Sequence, residues 1–201
     1  MIIGISGGSG SGKSTFIQEL RNRFDFSDLG LISEDNYYKE WHLQSKDSRG
    51  VINFDIPDAI DHEALLKDLD LLKNNQIVAR KEYSFNNVQK EPQDIIVKPA
   101  KIYIIEGLFI FHNKALSNLL NLKVLIHAKD ELKIIRRIKR DQNERNYPID
   151  DVLYRYQYHV GPAYDLYIRP YLEDMDIVIN NNTHFNAAIE LFEAWIRSKL
   201  G

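Results

Sequence analysis

The chain has 201 residues, 44% of them hydrophobic, with a net charge of -3 and no cysteine. That length suits one well-buried α/β core rather than two, and the mild acidity argues against a nonspecific nucleic-acid binder, whose footprint would be basic. The missing cysteines exclude disulfides and thiolate chemistry, and no apolar run approaches the roughly 18 residues of a membrane span, so a soluble, cytoplasmic protein with no nucleic-acid or membrane partner is expected.

Ile2, Ile3 and Ile5 form a short β-branched apolar run, the mark of a buried first strand. Five of the ten glycines follow or interrupt it, at positions 4, 7, 8, 10 and 12. Gly7, four intervening residues, Gly12, Lys13 and Ser14 spell G-x-x-x-x-G-K-[ST], and Phe16, Ile17 and Leu20 continue at helical spacing. A loop that wraps polyphosphate must aim successive backbone amides inward, which side chains would obstruct. Gly7, Gly8, Ser9, Gly10, Ser11, Gly12, Lys13, Ser14 and Thr15 are therefore candidate nucleotide-binding residues. Lys13 would bring a mobile charge to the outer phosphates and Ser14 a hydroxyl to Mg2+. The plainer alternative is a glycine-rich turn between a strand and a helix.

Gly30, Leu31 and Ile32 read as a second strand running into SEDNYY. Ligands in open α/β sheets sit beyond the carboxyl ends of strands, which makes Asp35 a candidate catalytic carboxylate. A solvated or turn-capping aspartate is the competing reading. Residues 39 to 60 look irregular, then Asp61 caps a helix through Leu65, Leu66, Leu69 and Leu72. β-type runs on either side of Asn86 and Asn87 predict a hairpin flap over residues 77–98. The strand at 102–105, IYII, ends in Glu106, a place suited to a carboxylate that orients Mg2+.

Val124 to Ile126 form a further strand, and Asp130 caps a helix with Leu132, Ile135 and Ile138 on its apolar face. Lys133, Arg136, Arg137, Lys139 and Arg140 occupy the opposite face, with Arg145 beyond. Such a run is ordinarily a solvated face. Beside a bound nucleotide it could instead close over a phosphoryl group. Seven of the eleven tyrosines fall between 147 and 171, read mainly as helix packing, and Pro162 suits a helix's first turn. Asp176 to Ile179 make the last strand, and Phe185, Ile189, Phe192 and Ile196 mark the closing helix. Strand and helix alternating behind a phosphate loop predict an α/β P-loop NTPase fold over residues 1–201, a parallel sheet with helices on both faces.

Several motifs together resemble the uridine kinase family, in the wider group that includes phosphoribulokinase and riboside kinases. GGSGSGKST, SEDNYYK, NFDIPDAID, YSF at 83–85, IIEG, RRIKRD followed by ERN, and VGPAYDLYIRP all fall in that family's order. The resemblance covers nearly the whole chain. It implies that ATP and Mg2+ are the cofactors, that a nucleoside accepts the phosphate, and that association into a homo-oligomer is open to this chain. Asp35 matches the carboxylate that accepts the proton of the 5'-hydroxyl, while Ser14 and Glu106 match the Mg2+ side. Asp55 matches the residue that holds the ribose hydroxyls and Tyr83 one that contacts the pyrimidine, with Phe54, Phe85 and Tyr38 lining the pocket. Arg137, Arg140 and Arg145 match arginines that approach phosphates and substrate in a lid at residues 137–150.

Three positions depart from the family's pattern. Val88 stands where a base-reading histidine is expected, Tyr147 where an arginine meets the ribose, and Arg155 where a glutamine is expected. Tyr147 and Arg155 are therefore candidate substrate-side residues of altered chemistry, and a site that loses its buried polar partners can change its substrate. The reading is phosphorylation of a pyrimidine nucleoside, uridine or cytidine. The alternatives are a kinase of another riboside, sugar or small alcohol, and a nucleotide-gated binding module without catalysis.

Overall fold

A computed structural model describes residues 1–83 and 93–201. Phe85, Val88 and the tip of the predicted flap lie outside the described residues. Five strands, β1 (Ile2–Ser6), β2 (Leu29–Ser33), β5 (Ile102–Glu106), β6 (Leu122–His127) and β7 (Ile177–Asn180), pair in the order β2-β5-β1-β6-β7. All four pairings are parallel. β1 and β5 are buried along their whole length, as a central parallel strand covered on both faces requires.

Alternation along β1 splits the interior into two layers. Ile3 and Ile5 face a core with Phe16 and Leu20 of α1 (Lys13–Arg21) and with Phe192 and Ile196 of α7 (Asn186–Leu200). Phe16 meets Phe185 and Phe192 edge-on, at 5.3 and 5.5 Å between ring centroids. Ile2 and Ile105 turn the other way, onto Leu65 and Leu69 of α2 (His62–Lys73) and Leu116 of α3 (Lys114–Ser117). Asp61 caps α2, accepting from the Ala64 amide at 2.9 Å.

Strands β3 (Val78–Lys81) and β4 (Asp94–Val97) pair antiparallel, apart from the main sheet. Arg80 of β3 ties this pair inward by an ion pair to Asp68 and by stacking 4.0 Å from the Tyr37 ring centroid. Residues 137–150 are the second half of α4 (Asp130–Arg145), a turn through Asn146 at φ 53, and the start of α5 (Ile149–Arg155). A π-helical turn (Tyr156–Val160) joins α5 to α6 (Gly161–Tyr167), whose first turn holds Pro162.

Three expectations are corrected here. Asp130 does not cap α4: Lys129 holds the cap position, and Asp130 pairs with Lys133 one turn on, at 2.7 Å. The helix is also rotated relative to its apolar pattern. Ile135 is 48% exposed, whereas Lys133, Arg137 and Asp141, spaced four apart on one face, are 4%, 7% and 2% exposed. That charged stripe looks inward because the phosphate loop, not an apolar sheet face, lies beneath it. The tyrosines also divide: Tyr167 packs on Phe109, Tyr147 lines a cleft, and Tyr158 is exposed.

Candidate active site

One rung of the sheet sets the site. Glu106 at the end of β5 stands opposite Ile5 on one side and Ser33 on the other. The chain leaves β1 into the phosphate loop one residue after Ile5's neighbour Ser6, and leaves β2 into Glu34 and Asp35 directly after Ser33. Three strand ends thus deliver Lys13, Asp35 and Glu106 to the same place. Glu106 accepts hydrogen bonds from Lys13 Nζ and Ser33 Oγ.

The loop closes with the Ser11 amide donating to the Gly8 carbonyl at 2.9 Å. Gly10 and Gly12 sit at φ +82 and +94, in left-handed backbone that L side chains resist, and a Cβ on either would strike Lys133 backbone or the Asn181 amide. Gly12 precedes the first residue of α1, so Lys13, Ser14 and Thr15 stand in that helix's first turn, where free amides favour an anion. Ser14 and Thr15 are exposed, and Ser11 Oγ is buried without a hydrogen-bond partner. Among the described residues, no three histidine or acidic side chains converge to hold a metal ion. A hydroxyl and a carboxylate, both hard oxygen donors, fit Mg2+ when phosphate oxygens complete its shell.

Electrostatics set Lys13 and Asp35 apart. Burial would lower the Lys13 ammonium, but Glu106, Asp35 and Glu34 outweigh it and hold the pKa above its ordinary value. Burial pushes the Asp35 carboxyl up to about 6, helped by Glu106 and Glu34 and opposed by Lys13 and Arg145. A carboxylate with that pKa can both be ionised at neutral pH and take a proton.

α4 roofs the loop with arginines. Arg137 Nη1 donates to Ser9 Oγ at 2.7 Å, and Arg136 Nη2 to the Asn181 carbonyl at 2.9 Å. Asp141 gathers three of them: Arg137 at 3.2 Å, Arg140 at 2.8 Å and Arg145 at 3.5 Å. Burial, then the neighbouring Arg140, lowers the Arg145 pKa from its ordinary value.

The other side of the cleft is aromatic. Tyr38 meets Phe54 at 5.7 Å and Tyr83 at 5.1 Å, and Trp41 backs Phe54 at 5.4 Å. Burial, then Asp35 and Asp55, raises the Tyr38 phenol well above its usual range. Asp47 pins the loop that carries Phe54 and Asp55: its Oδ2 accepts from Tyr154 Oη at 2.6 Å and lies 2.8 Å from His159 Nε2.

A single cleft of about 510 Å³ is lined by Gly7 to Thr15, Asp35, Tyr38, Phe54 and Asp55, together with Arg137, Arg140, Arg145, Tyr147 and Arg155. Of the remaining predicted residues, Glu106 reaches the cleft through Lys13, and Tyr83 through the rings of Tyr38 and Phe54. A second, apolar groove of about 550 Å³ between β7 and α7 holds none of this chemistry. Six cationic side chains and three acidic ones line the polar cleft, an excess of three positive charges in a chain of net charge -3.

Sequence reasoning missed Glu34, which is 1% exposed. It accepts from the Phe109 amide at 2.9 Å and lies 2.9 Å from His62 Nε2. Gly107 makes room for it, since a Cβ there would run into the Glu34 side chain. The one available signal was the glycine after an acidic strand end. Arg136 and Glu144 also line the cleft, from the same helix as the predicted arginines.

A phosphate loop, an acidic strand end beside it and a roof of arginines, mounted on a parallel sheet, define a P-loop kinase fold. The family model of phosphoribulokinase and uridine kinase matches residues 2–187, and the chain belongs to that family. It is 34% identical over 200 residues to a uridine kinase of Clostridium botulinum (strain Kyoto / Type A2), covering 100% of this chain and 97% of that one. A uridine kinase of Chlamydia pneumoniae is 32% identical over 201 residues, covering 100% and 90%. Among solved structures, phosphoribulokinase from Rhodobacter spheroides superposes with a TM-score of 0.60 at 18% identity, over 89% of this chain and 69% of its own. That likeness speaks for the fold. Among the described residues no helix is long and apolar enough to cross a membrane.

Proposed function

We propose that this protein transfers the γ-phosphoryl group of ATP, with Mg2+, to the 5'-hydroxyl of a pyrimidine nucleoside, uridine foremost and cytidine second. The carrying observation is that the phosphate loop, Asp35 and the aromatic acceptor wall with Asp55 share one cleft. Asp35 orients the hydroxyl and takes its proton, a role its raised pKa suits. Lys13, the loop amides and the α4 arginines offset charge on the transferring group, while Asp55 holds the ribose diol against Tyr38 and Phe54. Ser14 and Glu106 would hold the cation, which supplies charge neutralisation at the phosphates when bound. The hairpin of β3 and β4 serves as a flap on the acceptor side, and residues 137–150 as a lid on the donor side, of a single kinase domain.

Tyr147 and Arg155 in the cleft favour one second reading, a kinase of another riboside or small alcohol on the same scaffold. A screen with ATP and Mg2+ against uridine, cytidine, nicotinamide riboside and pentose phosphates tests both. Strong uridine turnover supports the first. Turnover confined to a non-pyrimidine acceptor overturns it in favour of the second.

A further inference from the structure

Gly8 is a glycine that the phosphate-loop pattern does not ask for. G-x-x-x-x-G-K-[ST] fixes positions 7, 12, 13 and 14 of this chain and leaves position 8 open. Backbone conformation does not require it either, since the φ of Gly8 is not positive, unlike those of Gly10 and Gly12. What excludes a side chain is a neighbour from α6. A Cβ on Gly8 would stand 2.9 Å from Cδ2 of Tyr164, closer than real contacts allow, and 3.4 Å from Cδ of Lys133. The bare face of the loop's first half is therefore seated on the Tyr164 ring.

That ring is itself held. Lys133 Nζ lies over it at 3.7 Å from the centroid and the Arg169 guanidinium carbon at 5.3 Å. Each cation is kept in place by one carboxylate, Asp130 at 2.7 Å and Asp165 at 2.8 Å. The second half of the loop is fixed differently, by the Asn181 side chain donating to the Ser11 carbonyl at 2.8 Å. Arg137 reaches the first half through the Ser9 hydroxyl, whereas the backbone at Gly8 rests on Tyr164. A cavity of about 90 Å³ opens beside this seat, lined by Ser9, Tyr156, Val160 and Gly161 among others. A smaller side chain at position 164 would join that space, and the Gly8–Ser9 backbone would gain room to sink.

We infer that Tyr164 is a positioning residue for the nucleotide: its ring sets the height of the Gly8–Ser9 backbone, and through it the cradle that receives the phosphates. The inference rests on the donor half of the kinase reading, ATP on the phosphate loop, and is independent of which acceptor is used. Shape carries the effect, so the phenol hydroxyl is dispensable and the ring is not.

The test measures Mg2+-ATP binding by titration calorimetry, together with the Tm of the nucleotide-free protein. Its subjects are the wild type, Tyr164→Phe, Tyr164→Ala, Gly8→Ala and the Gly8→Ala/Tyr164→Ala double variant. Tyr164→Ala should weaken ATP binding about ten- to a hundredfold, the scale of a site left about 1 Å out of place. Tyr164→Phe, which keeps the ring and the cations over it, should stay within about threefold of the wild type. Gly8→Ala should lose about tenfold alone, because its methyl group meets the ring, and less than about threefold once the ring is gone. A tyrosine that merely stabilised the fold would not produce this non-additivity. Additive losses, unchanged ATP affinity in Tyr164→Ala or Gly8→Ala, or a loss in Tyr164→Phe equal to that in Tyr164→Ala each overturn the inference. If Tm shows that Tyr164→Ala does not fold, Gly8→Ala decides: weakened ATP binding at wild-type Tm supports the seat, and wild-type affinity overturns it. Wild-type protein that binds no ATP removes the kinase reading itself, so the two failures are distinguishable.

Discussion

Replacing Asp35 by asparagine should make the protein more stable and nearly inactive at once. Burial and the neighbouring carboxylates raise the Asp35 pKa from 3.8 to about 6, so the native state holds that proton more tightly than the unfolded chain does. The cost of ionised Asp35 is absent below pH 3.8, grows as pH rises through the interval to about 6, and is complete above it. At about 1.4 kcal/mol per pH unit, the cost reaches roughly 3 kcal/mol at neutral pH. Urea unfolding of wild type and Asp35→Asn at pH 4.5 and 7.5 reads this directly. The variant's advantage should be small at the lower pH and approach that figure at the higher one. Turnover should fall about 10²- to 10⁴-fold with ATP affinity retained, and wild-type turnover should decline below about pH 6 as the carboxylate protonates. An advantage equal at both pH values, or a wild type more stable at pH 7.5, refutes the electrostatic argument, and near-normal turnover refutes the role of Asp35.

Lys13→Ala should weaken ATP binding and turnover together, because it removes both the loop's mobile charge and the partner of Glu106; an ATP titration separates it from Asp35→Asn. Gly107→Ala should drive a methyl group into the Glu34 carboxylate and cost about 1–3 kcal/mol, seen as a lowered Tm by calorimetry. An unchanged Tm would show that Glu34 can move aside. Asp141→Asn leaves three arginines without their shared carboxylate and should destabilise by about 3 kcal/mol, with the loss reduced in high salt. Equal losses at low and high salt would contradict a charge-based role.

The parts of this fold that local chemistry determines were legible in the sequence. The phosphate loop, the Asp61 cap and the buried strand ending in Glu106 each depend on residues adjacent in the chain, and each lies where its motif puts it. α4 was harder, since its apolar and charged faces are both regular and only the tertiary position of the loop decides which turns inward. Glu34 was hidden for a related reason. Its partners Phe109 and His62 lie 75 and 28 residues away, and Asp35 beside it drew the functional reading. Resemblance to known kinases rather than periodicity pointed to Asp55 and Tyr83, whose surroundings come from an irregular loop and from the entry to a hairpin.

The rung shared by Ile5, Glu106 and Ser33 has an evolutionary corollary. Neighbouring strands are held about 4.8 Å apart by backbone pairing alone, so the spacing of the donor-side groups is indifferent to which side chains fill the core. The residues proposed to meet the acceptor have no such anchor: Asp55, Tyr147 and Arg155 ride on connecting segments and helix ends that can be exchanged without touching the sheet. Descendants of such a chain can change what they phosphorylate by a handful of substitutions while inheriting how they phosphorylate it. Drift in substrate and constancy of reaction are then two readings of one scaffold.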